Sequence, residues 1–196
     1  AENSIVVASG ANMLLNEQDV DKMLEEMCEG DILLMQLEIP LQTVEYAARK
    51  AFGKGVKVVL NPAPARSLPK ELFRHLYMVT PNRIEAEMLT GIKIANDADV
   101  EKVAEEICAM GVKNVIITLG SKGCLIREEG VSYRIDAFKV APVDTTAAGD
   151  TFNGALCVGL SEGMDLKQAA VMASKASSIA VTRMGAQSSI PYREEL

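Results

Sequence analysis

Short, almost wholly apolar runs recur along the chain, separated by longer segments with helical spacing. Asp31–Glu38, Val56–Leu60 and Asn114–Leu119 are such runs. Runs of this length and composition predict strands buried on both faces of a parallel sheet. Ser4–Ala8 reads as a strand too, and Gly10-Ala11-Asn12 as a turn. Val20, Met23, Leu24 and Met27 fall on one face of a helix predicted over Glu17–Cys28, with Asn16 as its cap. Pro40 opens a helix to about Phe52, which Gly53-Lys54-Gly55 ends. Pro69–Leu76 is predicted as a short helix and Tyr77–Thr80 as a short strand. Pro81–Gly91 is predicted as a helix closed by Gly91, and Asp97–Met110 as an amphipathic helix capped by Asn96 or Asp97. Cys124–Arg127 and Val131–Ile135 have the pattern of a hairpin across Glu128-Glu129-Gly130. Two long helices follow, at about Thr151–Glu162 and Leu166–Val181. This order predicts an α/β fold with a mostly parallel sheet and an antiparallel edge hairpin, with right-handed crossovers placing helices on both faces. No repeat or linker interrupts it, so residues 1–196 read as part of one domain.

Composition narrows the function. The chain has 196 residues, 48% hydrophobic and 24% charged, which suits one sizeable core. A net charge of −7 argues against nucleic-acid and membrane-surface partners. No apolar run approaches a membrane span, and the first residues have no basic region or signal-peptide core. Cys28, Cys108, Cys124 and Cys157 lie far apart among apolar residues. They read as buried free thiols of a reducing, cytoplasmic protein. They lack zinc spacing, and His75, the sole histidine, has no nucleophile or ligand near it in sequence.

The chemistry concentrates in Val143–Ala155. Ala147, Ala148 and Gly149 carry almost no side chain, so another molecule can approach their backbone amides, and Gly149 permits a positive φ for a sharp turn. Asp150 follows at once, and the apolar spacing of Phe152, Ala155, Leu156, Gly159 and Leu160 predicts a helix beginning near Gly149. A helix N-terminus of this kind attracts phosphate. Asp150 has two readings. It is a helix N-cap, or it is a base that takes a proton from an alcohol attacking the phosphate. Other sharp residues fall after predicted strands, where open α/β sheets bind ligands: Glu38, Asn61–Arg66, Asn82 with Glu85, and Thr118–Gly123. Glu38 also reads as a cap or a solvated loop residue, Glu85 as an exposed helix charge, and Thr118–Gly123 as an ordinary strand-end turn. Neither a Gly-x-Gly-x-x-Gly fingerprint nor a Walker sequence is present.

The stretch Asp144-Thr145-Thr146-Ala147-Ala148-Gly149-Asp150-Thr151-Phe152-Asn153-Gly154-Ala155 resembles the C-terminal signature of the ribokinase (PfkB) family of carbohydrate kinases. So do Leu34–Glu38, Asn61–Arg66, Thr80-Pro81-Asn82 with Glu85 and Glu87, Ile117–Ser121, and Ala180–Arg183 with Gly185-Ala186-Gln187. The resemblance implies a three-layer α/β/α ribokinase-like fold and ATP-dependent phosphorylation of D-ribose at its 5-hydroxyl. By it, the amides of Ala147, Ala148 and Gly149 form an anion hole and Asp150 is the base. Glu38 contacts the sugar. Asn82 lies near the ATP phosphates, Glu85 acts through Mg²⁺-bound water, and Thr118, Leu119, Gly120, Ser121, Lys122 and Gly123 line the nucleotide site. Ser174 lies against the adenine. A monovalent cation, usually K⁺, falls to Asp144, Thr146, Ala180, Arg183, Gly185 and Ser189, several through backbone carbonyls.

The family's N-terminal third is not matched by any stretch here. That third holds a sugar-contacting Asp, a Gly-Gly-Lys-Gly-Ala-Asn segment, further strands and a small β lid through which family members form homodimers. The expectation is a C-terminal part of a family member, weak or inactive alone, with an exposed sheet edge prone to association. Two other readings stand beside ribose phosphorylation: another sugar or nucleoside kinase of the same superfamily, and a non-catalytic nucleotide-binding module.

Overall fold

The computed structural model describes residues 8–196, and most of the strand expected at Ser4–Ala8 lies outside them. The chain divides into two compact units. The larger comprises Ala8–Leu119 and Leu125–Tyr133, and the smaller includes Gly120–Cys124 and Arg134–Leu196.

The larger unit is built on a sheet whose six strands lie in chain order: β1 (Ile32–Met35), β2 (Lys57–Leu60), β3 (Met78–Val79), β4 (Asn114–Thr118), β5 (Cys124–Glu128) and β6 (Val131–Ile135). The first four run parallel, in the register Leu34↔Val59↔Met78↔Asn114. Glu129 and Gly130 join β5 to β6, at φ 49° and 82°. Two positive-φ residues make the turn that fits an antiparallel hairpin, so the edge is antiparallel as the sequence predicts.

The helices of this unit are α1 (Glu17–Glu25), α2 (Leu41–Gly53), α3 (Lys70–Phe73), α4 (Arg83–Thr90) and α5 (Asp97–Ala109). They contribute Val20, Val44, Ala48, Phe73, Ala86, Val103 and Ile107 to one apolar cluster with Leu33, Met35, Val58, Leu60, Val79, Val115 and Ile117 of the sheet. Each such Val, Leu or Ile contributes about 1.5–3 kcal/mol through burial. The alternate residues Val59, Met78 and Ile116 are buried as well. β1 departs from the expected two-sided burial. It stands at the end of the order of described strands, with β2 as its one neighbour there, and Leu34 is 37% exposed.

Caps fix the helix starts. Asn16, Asn82 and Asn96 each accept from a first-turn amide, and the acid three residues on (Asp19, Glu85, Asp99) accepts from the cap's own N–H. Gly91 ends α4 in the left-handed conformation, its N–H donating to the Glu87 carbonyl at 2.8 Å. Several elements are shorter than their apolar runs. α1 stops at Glu25 rather than Cys28, because Cys28 turns out into a tight bend in which its N–H donates to Asp31 Oδ2 at 2.7 Å. Cys28 is therefore exposed, and Cys108 and Cys157 are only half-buried; Cys124 alone of the four is fully buried.

The smaller unit contains α6 (Ala148–Ser161) and α7 (Leu166–Ala180). They pack closely because small residues meet: a Cβ on Gly159 would lie 3.1 Å from Ala169 Cα. No helix among the described residues is long and apolar enough to cross a membrane.

Candidate active site

Within the smaller unit the chain enters α6 through an unusual backbone. The residue with positive φ is Ala147, at 58°, not Gly149. Gly149 lies inside the first turn of α6 with helical backbone. A left-handed alanine costs about 1–2 kcal/mol, so the turn is held by its surroundings. Ala147 is also the N-cap and offers no side-chain cap bond. Asp150 is the third helical residue, which removes its reading as the N-cap. Gly149 and Asp150 are exposed, and a Cβ added at Gly149 would meet nothing within 4 Å.

Two side chains that the sequence reading passed over hold this turn. Ser177 Oγ of α7 donates to the Ala148 carbonyl at 2.9 Å, and Asn153 Nδ2 donates to the Gly149 carbonyl at 2.9 Å. Asn153 lies inside the signature, so its position was a signal. Ser177 sits in an Ala/Ser-rich helix, where nothing distinguishes it from its neighbours in sequence.

Just before α6, Asp144 ties two distant segments together. Its Oδ1 accepts from Thr146 N–H at 2.9 Å and its Oδ2 from Gly185 N–H at 3.0 Å. Val143 N–H and Asp144 N–H both donate to the Val181 carbonyl, at 2.7 and 3.2 Å. The Thr146 and Gly185 amides hold the Asp144 carboxyl below its usual range, so it is an anion at neutral pH. Arg183 N–H donates to the Ala180 carbonyl at 3.0 Å, and the Arg183 guanidinium is paired with the Glu195 carboxylate. Ser189 is fully buried, its Oγ donating to the Ala186 carbonyl at 2.7 Å. The six expected cation positions thus fall on two neighbouring segments, 144–146 and 180–189. They offer a carboxylate, a hydroxyl-bearing segment and backbone oxygens, a set that suits a hard cation.

The Gly120–Gly123 turn belongs to the same unit. Gly123 N–H donates to the Gly120 carbonyl at 3.0 Å, and both glycines have positive φ, 59° and 82°. A Cβ at Gly123 would lie 1.9 Å from the Ile135 carbonyl oxygen, so only glycine fits there. Ser121 and Lys122 are exposed. Ser174 is half-buried and hydrogen-bonded to Cys124, whose thiol is pushed up to about 11 by burial.

In the larger unit the expected residues sit at or beyond the carboxyl ends of the parallel strands. Asn82 and Thr118 form a parallel bridge, and Thr118 N–H donates to the Pro81 carbonyl at 2.9 Å. Asn82 Oδ1 accepts from Glu85 N–H at 3.0 Å, and Glu85 Oε2 accepts from Asn82 N–H at 2.7 Å. Glu85 is 6% exposed, and burial pushes its carboxyl up against the opposing pull of those bonds. Leu119 is half-buried. Glu38 is exposed at the bend after β1. Beside it the Asn61–Arg66 loop is clasped on, with Asn61 N–H donating to the Met35 carbonyl at 2.9 Å and Leu37 N–H to the Ala63 carbonyl at 2.8 Å. Glu87 serves structure instead. Lys93, the Ile94 amide and Arg83 all bind it and hold its carboxyl at about 2. Among the described residues, no three His, Cys, Asp or Glu side chains group so as to hold a metal by themselves.

The model of the pfkB family carbohydrate kinases matches residues 1–193. The chain is 48% identical to a ribokinase of Haemophilus influenzae, over all of this chain and 64% of that protein. A crystal structure of ribokinase from Thermotoga maritima superposes with a TM-score of 0.87 at 42% identity, covering 99% of this chain and 64% of that one. Arabidopsis thaliana ribokinase, complexed with ribose and ATP, gives a TM-score of 0.89 at 30% identity over the same shares, 99% and 64%. The chain thus spans about 64% of the length of these relatives. Its fold is the ribokinase-like α/β fold that the signature implies, and the chain belongs to the pfkB family of carbohydrate kinases.

Proposed function

We propose that this chain carries the phosphoryl-transfer machinery of an ATP-dependent ribose kinase, giving ribose 5-phosphate and ADP. The observation that carries the proposal is the start of α6. Its N-terminus has no side-chain cap, its first residues are Ala148 and Gly149, and an exposed Asp150 stands in its first turn. A carboxylate beside a phosphate-attracting helix end opposes simple anion binding. It fits a site where an alcohol must lose a proton beside a phosphate.

In this reading Asp150 accepts the proton of the sugar's 5-hydroxyl as that oxygen bonds to the γ-phosphorus of ATP. The bond from phosphorus to the β,γ-bridging oxygen breaks, and ADP leaves. The amides at Ala147–Gly149 donate to the equatorial oxygens of the group in transit, where charge stabilisation contributes most. Thr118–Gly123, Asn82 and Ser174 bind the nucleotide, and Glu38 binds the sugar.

Mg²⁺ bound with ATP supplies charge neutralisation on the phosphates, and Glu85, through water, is the residue that would hold it. The fit is good: Mg²⁺ keeps several waters and needs few protein carboxylates, and a cation nearby offsets the burial that disfavours the Glu85 anion. K⁺ would be held by Asp144 and by oxygens of Thr146, Ala180, Arg183, Gly185 and Ser189, where the Asp144 carboxylate is already ionised. The four free cysteines suit a reducing compartment and support the reading of a cytoplasmic enzyme.

The test is ADP formation by the whole protein that contains this chain, with Mg²⁺, K⁺ and a panel of pentoses, hexoses and nucleosides. D-ribose is expected to give the highest kcat/KM. Preference for a nucleoside or hexose would reassign the substrate, and ATP binding without turnover on any acceptor would leave only a nucleotide-binding module.

A further inference from the structure

Among the described residues, only two buried side-chain polar atoms have no hydrogen-bond partner, and one is Asn61 Oδ1. Asn61 is 7% exposed and lies one residue past the end of β2. The parallel ladder continues to it: Asn61 N–H donates to the Met35 carbonyl at 2.9 Å, and Thr80 N–H donates to the Leu60 carbonyl at 3.0 Å. That register sets Gln36, Asn61 and Thr80 in one row, each two residues beyond the apolar Leu34, Val59 and Met78 on the same sheet face. Its neighbours in the row are engaged, Thr80 Oγ1 with the Leu60 carbonyl and Gln36 with a further partner. Asn61 Oδ1 is thus a buried acceptor without a partner, in a row whose other members have partners.

An unpaired buried amide oxygen destabilises the fold, and such atoms are rare unless something external pairs with them. The place is the carboxyl edge of a parallel sheet, where ligands bind, and the backbone clasps Asn61 to the segment ending in Glu38. We propose that Asn61 is a specificity residue of the acceptor site, its Oδ1 accepting a hydrogen bond from one hydroxyl of the polyol substrate. This rests on the sugar-kinase reading above and adds to it a residue chosen by hydrogen-bond geometry rather than by the signature.

Asn61→Leu keeps the volume and removes the amide. In the whole protein, the KM for D-ribose is expected to rise about 10- to 100-fold, as for a lost hydrogen bond to a polar site, with the KM for ATP within about two-fold of the parent. The melting temperature without sugar should equal or exceed that of the parent, since no native bond is lost. Against a set of monodeoxy riboses, the parent should discriminate at one position where Asn61→Leu no longer does. Asn61→Ser, which retains an oxygen, is the companion variant and should recover part of the discrimination. Unchanged ribose KM, or unchanged discrimination at every hydroxyl, would overturn the assignment. So would a marked loss of stability in both variants without sugar, which would mean that the oxygen is paired inside the fold. A parent protein that phosphorylates no polyol would instead overturn the sugar-kinase reading itself.

Discussion

Glu85 and Asp144 are carboxylates with opposite electrostatic surroundings. Burial raises the pKa of Glu85, so folding favours its protonated form, and that contribution is lost as pH rises through the folded value, above 4.5. Glu85→Gln, with no charge to desolvate, should therefore melt higher than the parent at pH 7 without nucleotide. The gap should close as pH falls below the ordinary carboxylate range. Thermal melts across pH 3–8 (a range set by ordinary carboxylate titration) check this; a lower melting temperature for the variant at pH 7 would mean that the charge at the helix start outweighs its burial. Asp144 is the reverse, held low by the Thr146 and Gly185 amides. Some of this was legible in the sequence. Asn16 and Asn96 read as helix caps and serve as caps; Asn82 falls inside the helix predicted over Pro81–Gly91, yet it caps that helix in a box with Glu85. The left-handed residue was not legible. Rules for φ > 0 pick out Gly149, yet the structure places that conformation on Ala147, because the bonds around the turn decide where the strain falls.

At the scale of elements, the first turn of α6 depends on α7. Ser177 and Asn153 grip the carbonyls of Ala148 and Gly149, which fixes where the amides of that turn face. Ser177→Ala should destabilise the protein by about 0.5–1.5 kcal/mol, the ordinary net worth of one hydrogen bond. If the turn is the anion hole, kcat should fall with little change in the KM for sugar. A variant with parental kcat would show that the turn keeps its shape without this bond. The long periodic helices were legible because tertiary packing follows their apolar stripes: α2 and α5 begin and end within a residue or two of their patterns. Short elements were not. The run Tyr77–Thr80 yields only a two-residue strand, and Pro69–Leu76 only a four-residue helix, since a run of apolar residues marks burial but not where ladder bonds stop. The Gly120–Gly123 turn carries little information in sequence, but the 1.9 Å approach of the Ile135 carbonyl explains its second glycine.

At the scale of the whole molecule, the family is secured by a match over residues 1–193, while the chain covers about 64% of its relatives' length. The parts that the sequence assigns to phosphoryl transfer lie in Asp144–Ser189 and at strand ends of the sheet unit. Glu38 and Asn61 are the candidates on this chain for contact with the sugar. The role proposed for Asp150 is that of a base and not of a structural acid. Its most direct test compares the parent whole protein with Asp150→Asn in ribose-dependent ATP consumption, alongside ATP binding measured by calorimetry. The variant is expected to fold and bind ATP as the parent does, with kcat lower by about 10²- to 10⁴-fold, the contribution of a general base. Near-parental turnover by Asp150→Asn would mean that Asp150 is not the base.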